Sequence, residues 1–199
     1  MYFPLINQAS TFMHAAKQGD VALITRFIDM GIDINIRDDH SNTVLMIAAK
    51  YGHQTIVSEL LETPDIDINA KDMYGDTALM MAAWFGYLDV VECLLHGKNL
   101  QINSVNVEGN TALMLAADAG HKAIVARLIT TPGIKRNIRD AEGNTALMLA
   151  CSEGYSDIVA LLRQQSLFRW LRKRSVVACE GVGEVQCKGS YLRLFGRNS

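Results

Sequence analysis

Apolar residues follow a helical spacing in short stretches along this chain, and a turn closes each stretch. In the segment DMYGDTALMMAAWFGYLDVVECLL, residues 72–95, one apolar stripe begins after Thr77 and a second lies in VVECLL. The Thr77 hydroxyl suits the start of a helix, since it accepts a hydrogen bond from the free amides there. Gly86 suits the end of that helix, where the backbone turns to a positive φ angle. The pattern therefore predicts a helix, a turn, a second helix and a connector.

This pattern returns along most of the chain every 34 residues. Two columns show the period: Thr43, Thr77, Thr111 and Thr145, and Gly52, Gly86, Gly120 and Gly154. An earlier, degenerate copy has Ser10, Met13 and Gly19 in the corresponding places. Neither short helix of a unit can bury its apolar face alone, so the units must stack. We predict five units, at about residues 10–37, 38–71, 72–105, 106–139 and 140–165, between a cap segment at 1–9 and a basic tail at 166–199.

The recurring run resembles the ankyrin repeat over about residues 5–165. The shared skeleton is G-x-T-A-L-x-x-A-A-x-x-G-x-x-x-[IV]-V-x-x-L-[LI], and each connector ends in Asn: Asn35, Asn69, Asn103 and Asn137. Tetratricopeptide repeats have the same length, but their Trp, Gly-Tyr and Pro anchors do not recur here. The resemblance implies an all-α repeat solenoid, in which ankyrin-type helix-turn-helix units stack and carry short β-hairpin fingers.

Methionine occupies a position where the ankyrin family usually has His. It does so in every unit, as Met13, Met46, Met80, Met114 and Met148. The Thr–His hydrogen bond that is common in the family therefore cannot form, and we expect the polarizable Met side chain to fill the space. We expect the fold to tolerate this change.

The resemblance also implies a function, because ankyrin repeat proteins act mainly as binding modules. We expect a non-enzymatic protein–protein interaction module or adaptor, monomeric and cytoplasmic, whose partner protein binds in the concave groove of fingers and first helices. Family geometry, carried onto this sequence, gives the expected partner-binding residues Asp39, His40, Lys50, Tyr51, Met73, Tyr74, Trp84, Phe85, Glu108 and Asp118.

The adjacent aromatic residues Trp84 and Phe85 have two interpretations. Nothing about helix formation requires an exposed Trp-Phe pair, and aromatic side chains supply many interface hot spots. Alternatively, both rings pack within the molecule, against neighbouring first helices or against the tail. The sequence leaves both interpretations open.

No arrangement of reactive side chains indicates an enzyme, a metal site or a cofactor site. His53 and His121 follow helix-ending glycines, where the family has His for structural reasons, and no Ser, His and Asp set forms a nucleophile motif. The glycines follow the repeat and form no phosphate-binding loop. The four cysteines lack zinc-ligand spacing, so we expect reduced thiols.

Polar residues in the turns have structural interpretations. Asp38, Asp72 and Asp140 begin the fingers, where an Asp side chain accepts from its own backbone and stabilises a turn. By family resemblance Asn69 is a candidate acceptor for β-hydroxylation, although we favour a role in bonding its own connector backbone.

Charge divides the chain into an acidic repeat region and a basic tail. Residues 1–165 carry 12 Lys and Arg against 19 Asp and Glu, whereas residues 166–199 carry 7 against 2. The segment SLFRWLRKR suits a helix that caps unit five, which we favour, or an interfacial helix on an anionic membrane. Nucleic acid is not expected as a partner, because the large region is acidic. The alternative function is a targeting or regulatory part of a larger protein, such as a bacterial effector delivered into a host cell, with the tail on the membrane.

Overall fold

The structure, a computed structural model, describes the backbone of residues 5–163 and the side chains of residues 8–163. Within this part the chain forms short helices joined by turns. They are α1 Leu5–Gln18, α2 Val21–Asp29, α3 Val44–Lys50, α4 Gln54–Glu62, α5 Ala78–Phe85, α6 Leu88–Leu95, α7 Ala112–Asp118, α8 Lys122–Thr130, α9 Ala146–Ser152, and α10, helical from 156 to the last described residue, 163.

The helices form two layers. The first helices of the units, α1, α3, α5, α7 and α9, pack side by side in chain order, and α2, α4, α6 and α8 form a second row behind them. The first helices α1, α3, α5 and α7 also pack on the second helices of their own units, α2, α4, α6 and α8. The predicted helical repeat stack is therefore confirmed.

The core lies between the layers and between neighbouring first helices. In α5 every residue from Ala78 to Ala83 is buried, because this helix contacts both neighbouring first helices as well as α6. The small alanines let the first helices approach closely: Ala48, Ala49, Ala82 and Ala83 have no exposed surface. The second helices bury one face only, for example through Val90, Val91 and Leu94 of α6.

The threonines that precede α3, α5, α7 and α9 are N-caps, and in α3 and α7 the methionine three residues later completes a capping box. The Met46 backbone N–H donates to Thr43 Oγ1 at 3.4 Å, and the Thr43 backbone N–H donates to Met46 Sδ at 3.4 Å. Thr111 and Met114 repeat both bonds. The sequence predicted that Met would fill space, but it did not predict the sulfur as an acceptor in the place that Glu or Gln takes in a capping box.

The glycine that ends a first helix is required for two reasons. Gly86 lies in the left-handed region at φ 86°, and a Cβ there would lie 2.6 Å from the His121 ring of the next unit. The His121 ring donates from Nε2 to the Trp84 carbonyl at 2.9 Å, so it satisfies a free carbonyl at the end of α5. His53 bonds the Lys17 carbonyl in the same way at 3.0 Å, which confirms the structural interpretation of these histidines.

Asp side chains shape the fingers, as predicted. Asp72 Oδ1 accepts from the backbone N–H groups of Tyr74 and Asp76 at 2.9 and 2.8 Å. Asp38 and Asp140 make the corresponding pairs of bonds. The fingers are tight turns with little ladder structure: residues 5–163 contain one isolated antiparallel bridge, between Arg37 and Thr43, and no strand.

Neighbouring fingers are bonded tip to tip. The backbone N–H groups of Met73, Val107 and Ala141 donate to the carbonyls of the preceding tips, His40, Tyr74 and Glu108, at 2.8–3.0 Å. These bonds fix the spacing of the finger tips relative to one another.

Connector asparagines bond the next connector, which corrects our interpretation of Asn69. Its Nδ2 donates to the Asn99 carbonyl at 2.8 Å, and its Oδ1 accepts from the Gln101 backbone N–H at 2.7 Å. Asn35 and Asn103 repeat the arrangement one unit before and one unit after. The side chain reaches across the stack because the adjacent connector offers both a donor and an acceptor.

None of the helices described is long and apolar enough to span a membrane. Residues 5–9 of the predicted cap segment 1–9 belong to α1, which begins at Leu5. Residues 1–4 of that segment and the predicted basic tail at 166–199 lie outside the described residues.

Candidate partner-binding surface

The last residues of the first helices form a row along one edge of the stack. We call the two residues before each helix-ending glycine the helix-end row: Lys17 and Gln18, Lys50 and Tyr51, Trp84 and Phe85, Asp118 and Ala119, Ser152 and Glu153. Because α1, α3, α5, α7 and α9 pack in order, successive pairs are neighbours in space. Eight of these ten residues are exposed, and Asp118 and Ala119 are half-buried, so packing in the core constrains their residue types little.

Aromatic side chains in the middle of the row are exposed. Trp84 and Phe85 expose 43% and 45% of their surface, and Tyr51 exposes 39%. On the finger of the same unit, Met73 and Tyr74 expose 54% and 56%. We call these five residues the aromatic patch. Contacts within the molecule therefore cover only part of the Trp84 and Phe85 side chains, and the rest is open to solvent.

Lysines lie over aromatic rings of the following unit. The Lys17 Nζ is 5.6 Å from the centre of the Tyr51 ring, and the Lys50 Nζ is 5.8 Å from the centre of the Phe85 ring. Such contacts contribute about 0.5–1 kcal/mol at exposed sites. Tyr51 also stacks on His53, with ring centres 6.5 Å apart. The Tyr51 and Phe85 rings thus have defined contacts with side chains of the preceding unit.

Acidic side chains occupy the other end of the row. Burial raises the pKa of Asp118, and the negative charge of Glu153 raises it further. Asp118 also helps to line a concave pocket of about 430 Å³ between α7, α9 and the fingers of units four and five. Leu115 and Leu149 contribute apolar surface to the pocket, and finger residues Glu108 and Glu142 contribute carboxylates.

Two finger carboxyls with shifted pKa values have structural roles. Burial raises the pKa of Asp76, and the charges of Asp72 and Glu108 raise it too, against a hydrogen bond from Asn106 that lowers it. For Asp38 burial acts in the raising direction, but hydrogen bonds from Asn42 and from the His40 backbone leave its pKa below the usual value. Both carboxyls are engaged in hydrogen bonds of the fingers.

The residues predicted from the sequence all lie at the surface. Nine of them are exposed, namely Asp39, His40, Lys50, Tyr51, Met73, Tyr74, Trp84, Phe85 and Glu108, and Asp118 is half-buried. Fingers and helix ends share a face, since Val107 and Glu108 line the same pocket as Asp118. A role in binding a partner stays a prediction.

The sequence-based prediction did not find the pocket or the lysine–aromatic contacts. Family geometry carried onto the sequence also placed Lys17 and Glu153 on the groove side, and both belong to the helix-end row.

Within residues 5–163, no group of three or more His, Cys, Asp or Glu side chains comes close enough to hold a metal ion. Cys93 is half-buried and Cys151 exposed, both as free thiols, and the predicted thiols Cys179 and Cys187 lie outside the described region.

Comparison with known proteins identifies the repeat. The family model described as "Ankyrin repeats (3 copies)" matches residues 12–106 and 98–168. Human Ankyrin repeat domain-containing protein 29 is 41% identical over 59 residues, which are 29% of this chain and 19% of that protein.

Two further relatives have unrelated names. The Probable E3 ubiquitin-protein ligase XBOS32 of Oryza sativa subsp. japonica is 39% identical over 67 residues, 30% of this chain and 14% of that protein. The Putative glutaminase 3 of Caenorhabditis elegans is 41% identical over 58 residues, 27% of this chain and 10% of that protein. The matches thus span less than a fifth of each relative. Since the family model covers most of the sequence, the chain belongs to the ankyrin repeat family.

Proposed function

We propose that this chain is a non-enzymatic protein-interaction module or adaptor that binds a partner protein on the face formed by the finger tips and the helix-end row. Ankyrin repeats are generally protein–protein interaction modules, and the family is typically non-enzymatic. The observation that carries the proposal is the exposed aromatic patch, whose finger residues Met73 and Tyr74 are hydrogen-bonded to the neighbouring finger tips. Exposed aromatic residues on a preorganised surface are the usual anchors of an interface.

The aromatic patch does not contribute to the repeat skeleton. Units four and five have Asp118 and Ala119, and Ser152 and Glu153, where unit three has Trp84 and Phe85. Stacking therefore does not require aromatic residues at these positions. Tyr51, Trp84 and Phe85 are also poor choices for a surface with no partner, because large exposed apolar patches promote association.

The experiment is affinity capture with the purified chain, followed by titration against each captured protein after its separate purification. The test variant carries Trp84→Ala and Phe85→Ala, and Met30→Ala is the matched control, since Met30 is 61% exposed but lies outside the helix-end row. We expect the double variant to lose at least about tenfold in affinity, as two hot-spot residues would. The control should bind as the unaltered chain does. Equal affinity of the double variant and the control would contradict the proposal.

A second candidate function follows from the charge of the tail. Residues 166–199 carry 7 basic and 2 acidic residues, which suits contact with an anionic membrane while the repeats serve an activity elsewhere. Full-length relatives with names such as ubiquitin ligase and glutaminase are much longer than the segment they share with this chain. Co-sedimentation with phosphatidylserine vesicles at low salt tests this candidate. Failure of the full chain to pellet with the vesicles would reject it.

A further inference from the structure

The helix-end row changes charge in one direction along the stack. Unit one contributes Lys17 and unit two Lys50, unit three contributes only aromatic residues, and units four and five contribute Asp118 and Glu153. The row therefore runs from basic through aromatic to acidic over the length of the repeat region.

Folding does not explain the acidic end. The carbonyl end of a helix is a favourable place for a cation and an unfavourable one for a carboxylate. Lys50 is the last residue of α3 and fits that rule, whereas Asp118 is the last residue of α7 and Glu153 directly follows α9. Burial raises the pKa of Asp118, and repulsion from the Glu153 carboxylate raises it further.

No cation of residues 8–163 offsets this repulsion. The ion pairs of that region lie on the second helices, Lys122 with Asp157 at 3.2 Å and Arg127 with Glu92 at 3.8 Å. Residue types that are unfavourable for folding at their positions are expected where a surface serves a function. Among the described residues the acidic end therefore has the charge of a surface that binds a cation.

The pocket at the acidic end has the form that a long basic side chain fills. Its apolar surface from Leu115 and Leu149 suits the methylene stem of Lys or Arg, and the carboxylates of Glu108, Asp118 and Glu142 suit the charged head. At the other end Lys17 and Lys50 lie over rings and form no salt bridge with any side chain described, so both ammonium groups are open to a carboxylate.

We propose that the helix-end row binds one extended segment of a partner protein whose charges run opposite to its own. Acidic side chains of the segment lie over Lys17 and Lys50, apolar side chains lie on Trp84 and Phe85, and a Lys or Arg enters the pocket beside Asp118. Electrostatic complementarity of this kind sets the register and orientation of a partner more than its affinity. This inference rests on the proposed function, which it narrows to one class of partner segment.

The length of the segment follows from the spacing of packed helices. Neighbouring helix axes lie about 8–10 Å apart, so the four steps from unit one to unit five cover roughly 32–40 Å. An extended chain advances about 3.3 Å per residue. A segment of about 10 to 12 residues therefore reaches from Lys17 to Glu153.

The test selects random peptides of about 12 residues from a phage-displayed library on the purified full chain, and on a charge-exchanged variant. That variant carries Lys17→Glu, Lys50→Glu, Asp118→Lys and Glu153→Lys, so its net charge is unchanged. The matched control exchanges the ion pair on the second helices, through Lys122→Glu and Asp157→Lys. Far-ultraviolet circular dichroism and thermal melting establish that each protein is folded.

We expect the peptides selected on the unaltered chain to carry Asp or Glu toward one end, apolar residues in the middle and Lys or Arg toward the other. The charge-exchanged variant should lose affinity for these peptides by about tenfold or more, and should prefer peptides with the two charged ends interchanged. The ion-pair control should bind like the unaltered chain. Should the charge-exchanged protein fail to fold, Asp118→Asn with Glu153→Gln takes its place and should abolish selection for the basic end alone.

The failure of this inference is distinguishable from the failure of the proposed function. Peptides that need Trp84 and Phe85 but show no charge order, or that bind the charge-exchanged variant equally well, would overturn the inference and leave the function standing. Selection of no peptide, or only of peptides indifferent to Trp84→Ala with Phe85→Ala, would overturn both.

Discussion

The two ends of each first helix follow different rules. At the amino end, residues such as Thr111, Leu113 and Met114 recur from unit to unit and are buried against the neighbouring helices. At the carboxyl end the helix-end row differs in every unit and is mostly exposed. Stacking requires each unit to present the surface that its neighbour accepts, so the amino ends are alike. The carboxyl ends are free to differ, and that freedom is available for recognising a partner.

Unit five shows that burial at the amino end depends on having neighbours on both sides. Met148 exposes 46% of its surface, although Met46, Met80 and Met114 expose 1% each in the same position. Unit five is the last unit of the described stack, so α9 has a described first helix on one side only.

The largest effect should come from a cavity at the amino end. Leu113→Ala removes a side chain with 1% exposure, and we expect the free energy of unfolding to fall by about 2–5 kcal/mol. Urea denaturation followed by circular dichroism measures the change. Glu153→Ala, at the exposed carboxyl end of a first helix, should cost much less. Equal destabilisation by the two substitutions would contradict the difference between the helix ends.

A substitution at the glycine that follows a first helix should have the next largest effect. Gly52→Ala places a Cβ at φ 76° and 2.5 Å from the Tyr87 ring, so the ring must move and the backbone is strained. We expect a loss of about 1–3 kcal/mol in the free energy of unfolding, again by urea denaturation. Gly31→Ala is the control, since it shares the positive φ angle but meets no atom within 4 Å. Equal losses for both glycines would show that close contact with the next unit is unimportant.

Loss of a helix cap should have a moderate effect. Thr111→Val keeps the shape of the side chain but removes the oxygen that accepts from the Met114 backbone N–H at 3.3 Å. We expect a loss of about 0.5–2 kcal/mol in the free energy of unfolding. Thr145→Val, at the half-exposed end of the stack, should cost less because water replaces the lost partner there. A larger loss of stability for Thr145→Val than for Thr111→Val would show that burial of the capping hydroxyl does not increase its contribution.

The smallest effect should come from the helix-end row, and it should depend on pH. Burial and the charge of Glu153 raise the pKa of Asp118 in the folded chain, so the folded state binds this proton more tightly than the unfolded state does. The resulting stabilisation is complete below the ordinary Asp value of 3.8 and is lost as pH rises through the folded pKa. Asp118→Asn should therefore be slightly more stable than the unaltered chain at pH 7, by within about 0.5 kcal/mol. The melting curves of the variant and the unaltered chain should converge as pH falls below 3.8. A variant that is less stable than the unaltered chain at pH 7 would contradict a raised pKa for Asp118.

Sequence patterns predicted what depends on a single unit. The Thr residues indicated the helix starts, and Gly86 indicated a left-handed turn. Each of these inferences needs only the local spacing of residue types. Whether Trp84 and Phe85 are exposed was left open by the sequence, and the structure supplied the answer. The stacking itself followed from the period, because a short amphipathic helix cannot remain exposed.

Contacts between side chains of different units could not be predicted from the sequence. The Asn69 side chain bonds residues 30 and 32 positions further on, and the Lys50–Phe85 contact depends on side-chain rotation in both residues. The pocket beside Asp118 exists only because two fingers and two helices are held at a fixed distance. No local pattern encodes that distance, since it results from how alanines and leucines of neighbouring units pack.

The most direct test of the account measures stability and binding together in the chain with Trp84→Ala and Phe85→Ala. Urea denaturation gives the free energy of unfolding, and fluorescence anisotropy gives the affinity for a partner peptide selected on the unaltered chain. We expect stability to change by less than about 1 kcal/mol while affinity falls at least about tenfold. A collapse in stability with unchanged affinity of the remaining folded protein would show that these rings serve the fold and not a partner.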